Sequence, residues 1–157
     1  MKQTLYYLIA FLGFAVLNFG GLAFGQIWTG GGVTSEWYTT LNQAPWTPPG
    51  WVFGLAWTTI ALTFSAFMAW SWVKRDIEVM VMYPFALVLN ILWNPIFFGL
   101  HWTWVGVVIL LLLSFVIYHM TDFARCIHGW KVAWLLLPYF TWLMIATSLN
   151  LYISIMN

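Results

Sequence analysis

The sequence predicts an all-α integral membrane protein, a bundle of five transmembrane helices, on three observations. Of its 157 residues, 63% are hydrophobic and only 6% are charged, against ~25% charged in an ordinary soluble domain. The chain has too little polar surface to cover a core in water. Its apolar residues fall into five runs, roughly 5–24, 52–73, 79–100, 104–123 and 132–156, each near or above the ~20 residues that cross a ~30 Å hydrocarbon layer as helix. Its lysines and arginines (Lys2, Lys74, Arg75, Arg125 and Lys131) all lie outside those runs. Backbone groups in lipid must pair within the protein, and long runs without period-two alternation exclude a closed barrel. Residues 1–157 read as a single membrane domain.

The first run follows Lys2, and its apolar stretch exceeds the ~7–15 residues of a signal-peptide core, so it is counted as span one. Gly21 and Gly25, four residues apart, are spaced for a helix contact. The connection over 26–50 is the longest. Gly30, Gly31 and Gly32 make its beginning either a flexible hinge or an ordinary insertion. It leads into Trp37–Trp57, W-Y-T-T-L-N-Q-A-P-W-T-P-P-G-W-V-F-G-L-A-W, which holds four tryptophans, three prolines and no charge. Pro45, Pro48 and Pro49 interrupt helix and hold the backbone extended. Trp and Tyr at a membrane boundary bury their rings and keep N–H and O–H tips near water. Two readings stay open for this segment: an interfacial aromatic belt, or a lid over an apolar ligand site.

Span two carries Trp57, Ala61 and Phe64 on one face. In span three, Asn90, Asn94 and Phe97 are spaced i, i+4, i+7 and share a face, with Trp93 beside it. A buried asparagine needs partners, so each either bonds across helices or points at a ligand. Pro95 is expected to kink the helix and free the carbonyl of Ile91. Span four begins at the boundary residue Trp104. Span five places Trp142, Ala146 and Leu149 on one face, a turn after Pro138. If spans two, three and five meet, Trp57, Asn94, Phe97 and Trp142 line one cavity beneath the loop. Otherwise these rings pack against lipid and each other. Such a cavity is apolar, aromatic and neutral, the usual make-up of a small-molecule site. It suits flat conjugated ligands, because aromatic stacking adds roughly 0.5–1.5 kcal/mol beyond area burial.

With five spans, every Lys and Arg falls on one side of the membrane. The loop over 26–50, the turn at His101 and the C-terminus share the other side and carry none. This pattern predicts a cytoplasmic N-terminus and an outward-facing loop in a bacterial inner membrane. The carboxylates Glu36, Asp76, Glu78 and Asp122 lie in or near loops, which argues against a proton-coupled pump and against paired-carboxylate catalysis. His101, His119 and His128 show no metal spacing, and no nucleophilic triad is suggested. A net charge of +1 gives no case for nucleic acid, and the lone Cys126 cannot form an intrachain disulfide. No internal repeat of a secondary transporter is visible.

The run W-Y-x-x-L-N-x-x-P-W-T-P-P-G-W, with L-N-I-L-W-N-P-I-F-F in span three and W-L-L-L-P-Y-F-T-W-L-M-I-A-T-S-L-N in span five, resembles the tryptophan-rich sensory proteins. These are bacterial relatives of the mitochondrial translocator protein, or peripheral benzodiazepine receptor. The resemblance covers essentially the whole chain. It implies a five-helix bundle in the lipid bilayer, a homodimer, and a ligand pocket closed by the first loop. The ligands it implies are porphyrins such as protoporphyrin IX or haem, sterols in some members, and isoquinoline and benzodiazepine drugs. No obligatory cofactor and no metal are implied. By the same resemblance Trp57 and Trp142 correspond to tryptophans tied to ligand binding and to light-dependent porphyrin breakdown. Asn94 and Phe97 match third-helix pocket residues, with Asn90 on their face. Ala146 matches a fifth-helix alanine where the drug packs, and Tyr38, Trp46 and Pro48 match the lid.

The chain departs from the family pattern in two places. Gln43-Ala44 stands where the family often has Lys-Pro, which removes a cation for porphyrin propionates. His101, able to pair with a propionate or to ligate haem, otherwise sits as an interfacial histidine. Tyr152 is followed by Ile153-Ser154-Ile155-Met156-Asn157, without the basic residue of the proposed sterol motif. The expected function is a membrane receptor or sensor for porphyrin-type tetrapyrroles. The alternatives are a light- and oxygen-dependent porphyrin degrader using Trp57 and Trp142, and a tetrapyrrole or lipid transporter. On this pocket, Trp142→Ala is expected to weaken porphyrin binding with little loss of folded protein, and Trp104→Ala to change nothing.

Overall fold

The computed structural model describes residues 2–157; Met1, the first residue of the expected domain, lies outside them. Five helices are long and apolar enough to cross a membrane. Span one is α1, Lys2–Gln26. Span two is α3, Gly50–Lys74, which starts directly after Pro49 and ends on Arg75 in the left-handed conformation. Span three is α4, Ile77–Asn94, continued by a π-helical turn over Pro95–Gly99. Span four is α5, Thr103–His128. Span five is built from α6, Trp130–Ala133, a 3₁₀ turn over Trp134–Leu136, and α7, Leu137–Met156. α5 runs five residues past the expected end at 123. Hydropathy marks where lipid contact stops, and helix continues beyond that point through polar residues such as Asp122 and Arg125, which pair at 2.6 Å.

The first loop is more ordered than a flexible hinge followed by an extended strap. Gly30, Gly31 and Gly32 all take positive φ (57°, 107° and 58°), a turn that side-chain-bearing residues resist. A 3₁₀ turn over Gly32–Thr34 and a short helix α2, Glu36–Thr40, follow. Ser35 caps α2 by accepting the Tyr38 backbone N–H at 3.2 Å. Residues 41–49 then run without helix or strand, broken by a turn at Pro45–Trp46, up to the start of α3.

The helices close a ring in the order one, two, five, four, three: span one packs on two and three, two on five, five on four, and four on three. Phe64, Phe67, Met68, Leu110, Leu113 and Leu143 fill the centre. The lipid-facing side is just as apolar, so the spans carry little one-sided pattern and polar residues set their mutual rotation. Asn18 donates to Ser65 Oγ at 2.9 Å and accepts the Tyr83 hydroxyl at 3.2 Å, tying spans one, two and three. Asn150 donates to the Thr103 carbonyl at 2.9 Å and accepts Trp93 Nε1–H at 3.2 Å, tying spans three, four and five. Gly106 makes room for it: a Cβ there would stand 2.7 Å from Asn150 Oδ1. Asn150→Leu removes the acceptor of a buried indole N–H and crowds Gly106. It is expected to cost about 2 kcal/mol, read as a lower thermal midpoint in detergent.

The Gly21–Gly25 pair serves a contact within the chain. A Cβ on Gly21 would lie 3.2 Å from Ile91, and one on Gly25 would lie 3.1 Å from Asn94 Nδ2 and 3.4 Å from the Ile91 carbonyl. That carbonyl is the one Pro95 leaves without its helical donor. The expected disturbance at Pro95 appears as the π turn, closed by Leu100 N–H donating to the Pro95 carbonyl at 2.8 Å.

Candidate ligand-binding site

Beneath the loop, spans one, two and three enclose a cavity of about 300 Å³. Its walls come from Phe19, Leu22 and Gln26 of α1, Gly31–Val33 of the loop, Gly50, Phe53, Gly54, Trp57 and Thr58 of α3, and Trp93, Asn94 and Phe98 of span three. Phe19, Gly54 and Thr58 are also exposed on the lipid side, so the mouth opens sideways between spans one and two. No charged or histidine side chain lines it. Thr58 Oγ1 is engaged with the Gly54 carbonyl at 2.8 Å, and Gln26 Oε1 accepts Thr29 Oγ1–H at 3.2 Å.

Asn94 differs from the other buried asparagines. It is 3% exposed, it caps nothing in the turn that follows, and its amide faces the cavity. Asn18 and Asn150 are each held by two or more bonds, whereas no protein group among the described residues holds the Asn94 amide. The amide is open to the cavity, where it can bond a molecule that enters.

The structure distributes the expected site residues over several compartments. Trp57 and Asn94 share the 300 Å³ cavity. Tyr38, Phe97 and Ala146 line a separate void of about 20 Å³ on the far side of Phe53, Trp93 and Phe98. Phe97 is stacked on Trp93 with ring centroids 5.4 Å apart and planes at 10°, and this stack forms part of the partition. Asn90 turns to a void of about 10 Å³ shared with Trp57, Asn18 and Tyr139, where its buried Oδ1 has no partner. Trp142 lines none of these spaces. It is 6% exposed and packs edge-on against Phe53 (5.2 Å) and Trp57 (6.5 Å), with its Nε1–H unpartnered. Spans two, three and five do meet, but not around one cavity. Spacing i, i+4, i+7 spreads side chains over a broad arc, and bulky Trp93 and Phe98 divide it.

The loop lines the cavity only through Gly31, Gly32 and Val33, and the expected lid residues Tyr38, Trp46 and Pro48 stand outside it. Trp46 lies outside, where its Nε1–H donates to Ser148 Oγ at 3.1 Å and its ring meets Tyr152 edge-on at 5.4 Å. The Asn157 side chain brackets the Asn42 backbone: its Oδ1 accepts the Asn42 N–H at 2.9 Å and its Nδ2 donates to the Asn42 carbonyl at 3.4 Å. These contacts latch the loop to the end of span five. Gln43, in place of the family's basic residue, donates to the Tyr38 carbonyl at 2.9 Å and so closes the C-terminal end of α2. Burial pushes the Tyr38 hydroxyl pKa up, which keeps it neutral. Pro48 is half-buried and outside the cavity. His101 lies exposed with its ring stacked on Trp37 at 4.1 Å and 10°.

Sequence reasoning missed the contribution of span one, which supplies Phe19, Leu22 and Gln26, and it missed Phe53 and Phe98. Gly21-x-x-x-Gly25 was the available signal, since it seats span one against span three at Asn94.

Fold and cavity together define a class: five-span helical membrane proteins whose longest loop roofs an uncharged aromatic chamber. The chain belongs to the TspO/MBR family, whose sequence profile matches residues 11–156. It is 35% identical over 123 residues to protein CrtK of Rhodobacter capsulatus, covering 73% of this chain and 74% of that protein. It is 34% identical over 129 residues to the tryptophan-rich protein TspO of Chlorobaculum tepidum, covering 78% and 80%. It is 32% identical over 149 residues to the translocator protein of Bos taurus, covering 88% and 85%.

Proposed function

We propose that this protein is a membrane receptor that takes porphyrin-type tetrapyrroles, protoporphyrin IX among them, and other flat aromatic molecules from the bilayer into the chamber beneath its first loop. The observation that carries this reading is the Asn94 amide, open to the chamber and without a protein partner among the described residues, on a wall of aromatic rings. Trp57, Trp93, Phe53 and Phe98 supply stacking faces. A volume of about 300 Å³ lies at the lower end of the ~300–1,000 Å³ of ligand sites. A macrocycle therefore enters edge-first through the opening between spans one and two, and its propionates stay in the headgroup region. That disposition suits a chamber without a cation. The arrangement of Lys and Arg favours a bacterial inner membrane with the loop outside, and the family likeness favours a homodimer.

One observation favours a second reading, light-driven porphyrin breakdown with oxygen as oxidant. Trp57 lies 6.5 Å from both Trp142 and Trp93, a cluster of oxidisable rings against the chamber.

The test is a titration of the protein in detergent with protoporphyrin IX in the dark, following the main absorption band, beside a Trp57→Phe, Trp142→Phe double variant. A saturable shift that weakens in the variant supports the receptor. Absence of any saturable shift overturns it and directs the search to neutral apolar ligands. Illumination in air then separates the readings: new product bands in the wild type alone support breakdown, and an unchanged spectrum rejects it.

A further inference from the structure

A second, larger cavity lies at the opposite end of the bundle from the aromatic chamber, and neither the family likeness nor the proposed receptor uses it. It is a cleft of about 510 Å³ between the start of span one and the end of span two, lined by Gln3, Thr4, Tyr7, Trp70, Val73 and Lys74. Its floor is fixed by Tyr7, whose hydroxyl donates to the Ala66 carbonyl at 3.3 Å and braces the two helices one turn deeper.

The cleft is cationic. Lys74 Nζ stands 5.1 Å from the centroid of the Trp70 ring, and no carboxylate lines the space. Asp76, two residues on, is engaged elsewhere, paired with His128 at 2.8 Å, and Glu78 lies outside the cleft in the first turn of α4. Lys74 has no acidic partner among the described residues. Arg75 follows it, exposed, on a left-handed turn with φ 60°.

Depth selects the kind of ligand. Lys74 is the last residue of α3, and Gln3 and Thr4 fall in the first turn of α1, where the apolar runs give way to polar residues. Trp70 and Tyr7 are the residue types that sit at headgroup level. A cleft with a lysine at its rim, amide and hydroxyl donors opposite, and an apolar wall descending into hydrocarbon matches a phosphodiester headgroup with acyl chains attached. We infer that this cleft binds the headgroup of an anionic phospholipid at the cation-bearing face of the membrane, with Lys74 on the phosphate, Gln3 and Thr4 on phosphate or glycerol oxygens, and Val73 and Trp70 against the start of the acyl chains.

The test is native mass spectrometry of the detergent-purified protein, titrated with phosphatidylglycerol or phosphatidylcholine of identical chains. Phosphatidylglycerol is expected to be retained about five-fold better, Lys74→Gln to abolish that preference, and Lys131→Gln, which alters another cation outside the cleft, to preserve it. Equal retention of the two lipids overturns the inference. So does an equal loss in both variants, which would mean diffuse surface charge. Displacement of phosphatidylglycerol by equimolar glycerol 3-phosphate overturns the lipid source in favour of a soluble phosphate. An unchanged thermal midpoint in Lys74→Gln confirms that the fold is intact. Porphyrin binding is not part of the readout, so failure here leaves the receptor reading untouched.

Discussion

Asn94→Leu is expected to weaken protoporphyrin IX binding about ten-fold while the thermal midpoint of the protein holds or rises. The two halves of that result come from one fact. Asn94 is 3% exposed, on the wall of the chamber, and its amide has no protein partner among the described residues, so replacing it breaks no hydrogen bond of the fold. A leucine of similar size fills the same space among aromatic rings. It also removes the hydrogen bond a ligand gains on entry, about 1–1.5 kcal/mol net, which is close to a factor of ten in affinity. Dark titration gives the first quantity and thermal unfolding in detergent the second. Asn150→Leu supplies the contrast, because Asn150 bonds protein at both ends and its loss lowers the midpoint. If Asn94→Leu behaves like Asn150→Leu, the amide is structural and the site assignment fails.

Trp142→Ala is expected to lower stability by about 3–5 kcal/mol, the range for truncating a buried tryptophan or phenylalanine. The sequence suggested little loss of folded protein. The structure corrects this, because Trp142 is 6% exposed and wedged against Phe53 and Trp57. Trp104→Ala, at a side chain 57% exposed on the outer face of α5, is expected to stay within about 0.5 kcal/mol. Trp142→Phe is the informative variant. It keeps an aromatic ring against Phe53, discards the unpartnered indole N–H, and is expected to change stability by less than about 1.5 kcal/mol. Because Trp142 reaches the chamber only through Phe53 and Trp57, this variant is expected to weaken porphyrin binding less than Trp57→Phe does. The reverse order would mean that ligand entry pulls Trp142 into contact and that the partition at Trp93 and Phe98 opens.

Most of the bundle was legible in the sequence because bilayer thickness and backbone hydrogen bonding admit few solutions. All five spans appear, with ends shifted by no more than five residues, the most where polar residues such as Arg125 continue the helix. The aromatic loop was recognisable as a roof, although α2 inside it was hidden, since W-Y-T-T has no long-range pattern to show. Trp57 and Asn94 were placed together correctly. Phe97, Ala146 and Trp142 were placed with them and lie elsewhere. The cause is physical: a helix apolar all round does not reveal its rotation, and side chains on one face still diverge around a bulky neighbour such as Trp93. Asn150 stood in the span-five motif and went unremarked, because a polar residue's partners depend on helix order, and ring order is not written in local periodicity.

Span one contributes no buried side chain to the hydrophobic core cluster, in which Phe14 is only a partly buried neighbour. Its own buried positions are Asn18, Gly21 and Gly25. The other four spans supply the fully buried apolar side chains, and span one covers them through Phe14, edge-on to Tyr83 at 5.1 Å, and through Asn18 and Tyr7. In thermodynamic terms span one behaves as a tethered guest, and the loop after it sets an effective concentration rather than a covalent necessity. Severing the chain in the Gly30–Gly32 turn would convert an intramolecular contact into a bimolecular one within the plane of the bilayer, so that co-expressed halves reassemble by lateral diffusion. The fragments would meet on Gly21, Gly25, Asn18, Tyr7 and the Phe14 ring, and the wall of the chamber that span one supplies would form only on reassembly.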